Sequence, residues 1–269
     1  MKIPVIALMT DFGEEDFFVA SLKGTILKIN PLARIVDITH SIRSFDITSA
    51  SFILFSCYKY FPEKTIFLVV VDPGVGSSRR ILLVETKKYF FIAPDNDVLA
   101  LVLEEEEIHQ IREIANEMFF LPERSKTFEG RDKMAPVAAS LSKGISCKEF
   151  GPKVTEFRKS KLKKPKMKND KIIGFILYAD KFGNLITNIP AAIVNTLQER
   201  NIKKRLHLLV KREEISCFKE NYSSVRKGEL LFLVGSLGLI EIAAREDSAA
   251  EKLKANAGDE VKIIVKRKA

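Results

Sequence analysis

The chain has 269 residues, of which 46% are hydrophobic, and a formal charge of +9. That is enough apolar material for one large or two medium domains, but the apolar runs are too short and too often broken by charge to span a bilayer. Three widely spaced cysteines (Cys57, Cys147, Cys217) and three histidines (His40, His109, His207) form no ligand pattern. This argues against a metal site and, with no basic-then-apolar leader, for reduced thiols in a cytoplasmic protein.

In chain order, Ile3–Met9 reads as a strand, followed by a turn and a helix from about Asp16 to Ile29. Ala33–Ile38 is a second strand, and Asp46–Tyr60 has helical periodicity with Asp46 as its N-cap. Thr65–Val71 is an apolar, β-branched run typical of a buried strand. Ile81–Glu85 and Tyr89–Ala93 are further strands, and Val98–Glu105 and Lys133–Lys143 are short helices. Strands alternating with helices predict an α/β domain with a mostly parallel sheet over residues 1–157. Residues 158–171 then carry Arg158, Lys159, Lys161, Lys163, Lys164, Lys166, Lys168 and Lys171 against Asp170 alone, which is +7 of the +9. With Pro165 and no alternating aromatics, this reads as an exposed basic linker or edge segment rather than a nucleic-acid surface. Six short strands follow within residues 172–269: Ile172–Tyr178, Leu185–Ile189, Leu206–Val210, Glu229–Val234, Leu239–Ala243 and Val261–Val265. With little helix between them they predict a smaller C-terminal β-barrel. Abundant Lys and Glu, no Trp and only two Gln (Gln110, Gln198) fit a thermophilic source.

Three clusters carry chemistry. At the end of the first strand stands Thr10-Asp11-Phe12-Gly13-Glu14-Glu15-Asp16. A carboxylate at Asp11 can accept both vicinal hydroxyls of a ribose; alternatively, Asp11 or Asp16 caps the following helix. The third strand ends in Asp72-Pro73-Gly74-Val75-Gly76-Ser77-Ser78-Arg79-Arg80, where ligands bind in open α/β sheets. Asp72 and Arg79 are expected close together there, as a functional pair or as a solvated turn. The segment lacks both the P-loop and the dinucleotide glycine patterns. Early in the C-terminal domain, Asp180-Lys181-Phe182-Gly183-Asn184 offers a cation partner, an aromatic face and an amide able to pair with a purine edge. The same residues also suit a hairpin turn at Gly183-Asn184.

Together these segments resemble the adenosine-forming S-adenosylmethionine (SAM) hydrolases, also called SAM hydroxide adenosyltransferases, which are related to fluorinase and chlorinase. The resemblance rests on Thr10-Asp11-Phe12-Gly13, Lys23-Gly24, Val36-Asp37-Ile38-Thr39-His40 and Val71-Asp72-Pro73-Gly74-Val75-Gly76. It continues through Ala93-Pro94-Asp95-Asn96, Thr127-Phe128-Glu129-Gly130-Arg131-Asp132, Asp180–Asn184 and Gly235–Ala243. It implies an N-terminal α/β domain plus a C-terminal barrel, assembled as a homotrimer with SAM between subunits. SAM is then substrate, with no cofactor, no metal and no membrane partner. By the same resemblance Asp72, Arg79 and the residue at 129 orient the attacking water. Asp11 binds the ribose, Asp16 and Asp180 the methionine amino group, Asn184 the adenine edge, and Phe128 and Phe182 pack against the substrate. Ser236, Glu241 and Ala244 complete the pocket.

One position departs from the family, which has histidine where this chain has Glu129. A histidine exchanges a proton near neutrality, whereas glutamate is ordinarily a fixed anion. Beside Asp72, a second carboxylate is expected either to share a proton with it or to repel hydroxide. Two alternatives to hydrolysis therefore stand: a halide-using relative, and a non-catalytic SAM or adenosine binder.

Overall fold

The computed structural model describes residues 5–158, 163–202 and 204–267. Ile3 and Pro4 of the first expected strand, and Lys159 and Lys161 of the basic segment, lie outside these residues. The chain divides into two compact units, Met1–Lys161 and Leu162–Ala269.

In the first unit, β1 (Val5–Thr10), β2 (Arg34–Thr39), β3 (Ile66–Val70), β4 (Ile81–Thr86), β5 (Phe90–Pro94) and β6 (Ile108–Glu113) form one sheet. Its order is β2-β1-β3-β5-β4-β6. The pairings from β2 to β5 are parallel, while β4 runs antiparallel to both β5 and β6. β3 is central and buried throughout, as a strand covered on both faces must be. Its pleat sends Leu68 and Val70 to one side, against Leu22 and Ile26 of α1 (Phe18–Ile29). Phe67 and Val69 point to the other side, with Ala50 and Leu54 of α2 (Ile47–Cys57). Phe67 is fully buried and stacks on Phe91 at 5.0 Å between ring centroids. The carboxyl end of β3 is thereby held rigid from both faces.

Asp46 caps α2 as expected, accepting from the Ser49 amide at 3.0 Å. α1 instead starts at Phe18, after Phe17, and has no side-chain cap, so Asp16 is not its cap. The helix expected over Val98–Glu105 shrinks to α3 (Ala100–Leu103). β6 carries too few apolar residues to be legible as a strand, yet completes the antiparallel edge. The helix expected over Lys133–Lys143 is a π-turn, Gly130–Met134, running into α4 (Ala135–Ser142). Such a turn inserts an extra residue into the helical ladder, often at functional sites.

In the second unit, β7 (Lys166–Lys168), β8 (Lys171–Ala179), β9 (Leu185–Pro190), β10 (Lys204–Val210), β11 (Glu213–Ile215), β12 (Leu230–Val234), β13 (Leu239–Ala244) and β14 (Glu260–Arg267) form an antiparallel sheet. Its order is β11-β10-β14-β8-β9-β13-β12, with β7 added to β8. A bridge from Phe218 to Phe232 of β12 nearly closes it into a barrel around Phe232, Ile240, Ile242 and Leu208. Part of the expected linker is thus a strand: Lys166–Lys168 pairs with Lys171–Ala179, with every β7 side chain exposed. Two helices were not anticipated, α5 (Ala191–Glu199) and α6 (Ala249–Leu253). Val194 and Leu197 turn one face of α5 into the barrel core.

Because Phe67 holds β3 from below, Phe67→Ala should cost about 3–5 kcal/mol by leaving a cavity. Urea melts of the two proteins check this.

Candidate functional site

Two cavities are relevant, one in each unit. The first, of about 370 Å³, opens at the carboxyl end of the parallel strands and is lined by Asp11, Phe12, Phe18, Phe45, Val70, Asp72, Thr127, Phe128 and Glu129, among others. Phe12, Phe18 and Phe128 pack edge to face or tilted at 5.3–5.7 Å and form its apolar wall.

Asp72 follows β3 directly, and its Oδ1 accepts from the Gly74 amide at 3.1 Å, a local turn that aims the carboxylate. Arg79 returns from the same loop, its Nε donating to Asp72 Oδ2 at 2.8 Å and its terminal nitrogen pairing with both Asp72 and Glu129. All three side chains are buried to within 8% exposure. A β-carbon at Gly76, where φ is +78°, would stand 2.7 Å from the Lys126 carbonyl. The Asp72 loop and the segment bearing Glu129 can therefore approach this closely only with glycine at 76.

The structure separates the two charges that the sequence placed side by side. Arg79 stands between the carboxylates, and Lys133 Nζ reaches Glu129 Oε1 at 2.5 Å from one helical turn away. Burial pushes the Glu129 carboxyl up, but Lys133 and Arg79 together hold it below the usual range. Both Glu129 oxygens are met by cations, and Arg79 stands between Glu129 and Asp72. Lys133 was not singled out from the sequence, although its spacing of four residues from Glu129 is a legible ion-pair signal.

Other motif segments brace this centre. Asn96 Nδ2 donates to the Val71 carbonyl at 2.9 Å, and Arg80 donates to Asp95 Oδ2 at 2.7 Å, so the Pro94-Asp95-Asn96 turn holds both ends of the Asp72 loop. Under the Asp11 turn, Thr10 Oγ1 lies 2.9 Å from His40 Nδ1. His40 Nε2 lies 3.0 Å from Asp37 Oδ1, and Lys23 reaches the other Asp37 oxygen at 2.6 Å. Burial pushes the Asp37 carboxyl up, while Lys23 and His40 bring it below its ordinary value. Asp11 Oδ2 accepts from the Phe45 amide at 2.9 Å, which leaves Oδ1 for a ligand. Phe45 itself has a left-handed φ of +68°, uncommon for a bulky residue, and its ring is exposed on the cavity wall. Asp16 is exposed and outside the cavity lining.

The second cavity, of about 740 Å³, is lined by Asp180, Phe182, Asn184, Tyr222 and Ala244, with Arg245–Ser248 at its side. Asp180 Oδ1 accepts from the Phe182 and Asn184 amides at 2.8 and 2.9 Å, and Oδ2 from Asn184 Nδ2 at 2.9 Å. The hairpin reading holds: Asp180 builds the turn that presents Phe182 and leaves Asn184 its amide oxygen. Glu241 is buried and accepts from the Tyr222 hydroxyl at 2.6 Å. Burial holds its carboxyl above the usual range, with Asp180 adding to the rise against the Tyr222 hydrogen bond. Ser236 is exposed on the β12–β13 turn and does not line this cavity. Tyr222 was missed, being one aromatic in a polar loop.

Residues 6–151 match the SAM hydroxide adenosyltransferase N-terminal domain, and residues 174–262 match its C-terminal domain. The chain belongs to this family. It is 32% identical over 271 residues to an (R)-S-adenosyl-L-methionine hydrolase from Methanocaldococcus jannaschii, covering 97% of this chain and 96% of that one. A hydrolase of the same name from Thermus thermophilus is 31% identical, covering 96% and 99%. A fluorinase from Actinoplanes sp. is 30% identical over 213 residues, covering 69% of this chain and 72% of its own. The structure resembles that of an uncharacterized conserved protein from Thermotoga maritima, with a TM-score of 0.90 and 38% identity over 96% of this chain and 99% of that one. As a SAM hydroxide adenosyltransferase, the chain carries at 129 a glutamate with its own two cations.

Gly76→Ala should destabilise the protein by about 1–3 kcal/mol through strain at a left-handed position. Thermal melts against the parent test this. Because the Glu129 pKa is depressed on folding, its stabilising contribution is present above the ordinary glutamate range and is lost as pH falls through the depressed value. Glu129→Gln should therefore flatten the acid limb of a plot of Tm against pH.

Proposed function

We propose that the protein hydrolyses S-adenosyl-L-methionine to adenosine and L-methionine by attack of water or hydroxide on the 5′-carbon of the ribose. The observation that carries this reading is the buried Asp72–Arg79–Glu129 cluster on the wall of the cavity that Asp11 also lines. The C–O bond forms as the C–S bond breaks, the sulfonium leaves as neutral thioether, and the attacking water gives up one proton. Sulfonium is already a good leaving group, so the reading assigns no step to a metal or cofactor. The protein's part is to align oxygen, carbon and sulfur in a largely dry pocket, where fixed charges act strongly. Asp72 accepts a hydrogen bond from the nucleophile, and Arg79 fixes Asp72 and tempers its charge.

Asp11 Oδ1 takes the ribose hydroxyls, and Phe128 packs against the substrate. Asn184 meets the adenine edge through its amide oxygen, which accepts from the exocyclic amine. Phe182 packs on the nucleoside and Asp180 supplies negative charge for the methionine amino group, with Glu241, Ala244 and Ser236 completing the pocket. We place Asp16 near the amino group only once a ligand and a neighbouring chain are in place. The working assembly in this reading is a homotrimer in the cytoplasm, pairing the first cavity of one subunit with the second cavity of its neighbour. Supporting it, the first cavity has the exposed ring of Phe45 on its wall and the second those of Phe182 and Tyr222, at 70%, 67% and 44% exposure. Apolar groups of this kind at a cavity invite a cover.

Incubation with SAM, with and without chloride, should yield adenosine and methionine in equal amounts. A halogenated nucleoside, or tight SAM binding with no product, would overturn the reading. Asp72→Asn should lower turnover by about 100-fold or more while preserving the fold, as expected for loss of a group that acts on the nucleophile. Asp11→Ala and Asn184→Ala should each weaken adenosine binding by about 1–3 kcal/mol in calorimetry. Mixing those two variants under subunit exchange should recover a fraction of sites, since an intact first cavity then meets an intact second one.

A further inference from the structure

We propose that Lys133 is a positioning residue of the reaction centre, holding Glu129 as a permanent anion so that Arg79 stays clamped across Glu129 and Asp72. The inference rests on the hydrolase reading for its meaning, but its geometry stands without it. Glu129 uses both oxygens: Oε2 meets the Arg79 guanidinium and Oε1 meets Lys133 Nζ at 2.5 Å. Lys133 is itself held, its ammonium 5.6 Å from the Phe120 ring centroid and its side chain 28% exposed. Glu129 is the N-cap of the π-turn Gly130–Met134, and Lys133 lies within it.

Charge makes the lysine necessary. Asp72 and Glu129 contribute two negative charges and Arg79 one positive, so without Lys133 the buried cluster would carry an uncompensated negative charge. In a partly dry cavity that charge would repel hydroxide and draw a proton onto Glu129. Once protonated, Glu129 would release its end of the guanidinium, and Arg79 would lose one of the two anchors that set its angle on Asp72. The other charged groups facing Glu129 do not remove the need. Asp11 lines the same cavity and is acidic, Arg131 is paired with the buried Asp132, and Glu117, near Lys133, is paired with Arg124 at 3.0 Å. Lys133 thereby completes a fixed ion row, Lys133–Glu129–Arg79–Asp72.

The test is a double-mutant cycle joined to a direct titration. In Lys133→Met, which keeps length and the apolar contact to Phe120, kcat at neutral pH should fall about tenfold with KM within about twofold, as for loss of an interaction that acts on the transition state. The acid limb of its kcat profile should move to higher pH. In a Glu129→Gln background, Lys133→Met should change kcat by less than about twofold, because the charge it answers is gone. Lys133→Arg should behave like the parent. Independently of turnover, carbon-13 NMR of labelled glutamate carboxyls should show Glu129 titrating at higher pH in Lys133→Met, and Lys133→Gln provides a second variant if the first folds poorly. An unchanged Glu129 titration in both variants would overturn the proposal, as would an equal loss of kcat with and without Glu129. A parent that makes no adenosine would sink the hydrolase reading alone, leaving the titration to decide the role of Lys133.

Discussion

The contact on which the N-terminal site depends is the bridge that Arg79 makes between Asp72 and Glu129. The two acids, at positions 72 and 129, belong to distant segments of the chain, one leaving the central strand and the other entering a helix. Like charges buried at this distance would drive the segments apart or force a proton onto one of them. The guanidinium offers donors in a planar fork that can meet both carboxylates together, which an ammonium on its flexible stem does not reproduce. Around it the packing is arranged so that the two loops can touch. Gly76 admits the Lys126 carbonyl, Asn96 ties down the end of β3, and Asp95 holds the neighbouring Arg80 away from the cluster.

The same logic of anchoring before chemistry recurs in the rest of the site. Asp11 is set by a main-chain amide donated from a strained Phe45, and the turn that carries it is tied to the Thr10–His40–Asp37–Lys23 row. In the barrel, Asp180 accepts three hydrogen bonds inside its own turn and so presents Phe182 and Asn184 in a fixed pose. Each acid thus has its geometry settled by hydrogen bonds within the protein itself. Glu241 differs in being buried with a tyrosine hydroxyl as its partner, and burial raises its carboxyl above the usual range.

The residue at 129 sets the charge state of this cluster. An imidazole can gain or lose one near neutrality, whereas Glu129, flanked by Arg79 and Lys133, stays charged through that range. The residue at 129 is thereby tied into an ion row that fixes the angle of Arg79 on Asp72.

Local pattern was enough to read the α/β character of the first unit, the barrel of the second, the N-cap at Asp46 and the acid at the end of β3. These follow from alternation, helical spacing and turn residues, which act between near neighbours. The chain alone also showed that position 129 is unusual. It did not show β6 or α5, because a thinly apolar edge strand and a helix opening behind Pro190 carry weak local signals. Nor did it show that Arg79 stands between the two acids or that Phe45 supplies an amide to Asp11. Those contacts join segments far apart in the chain, and only the packed sheet and its loops decide which charged groups are brought within reach. Whether two carboxylates share a proton or a cation depends on that reach, so the electrostatics of Glu129 belonged to the tertiary structure even though Lys133 stood four residues away in plain sequence.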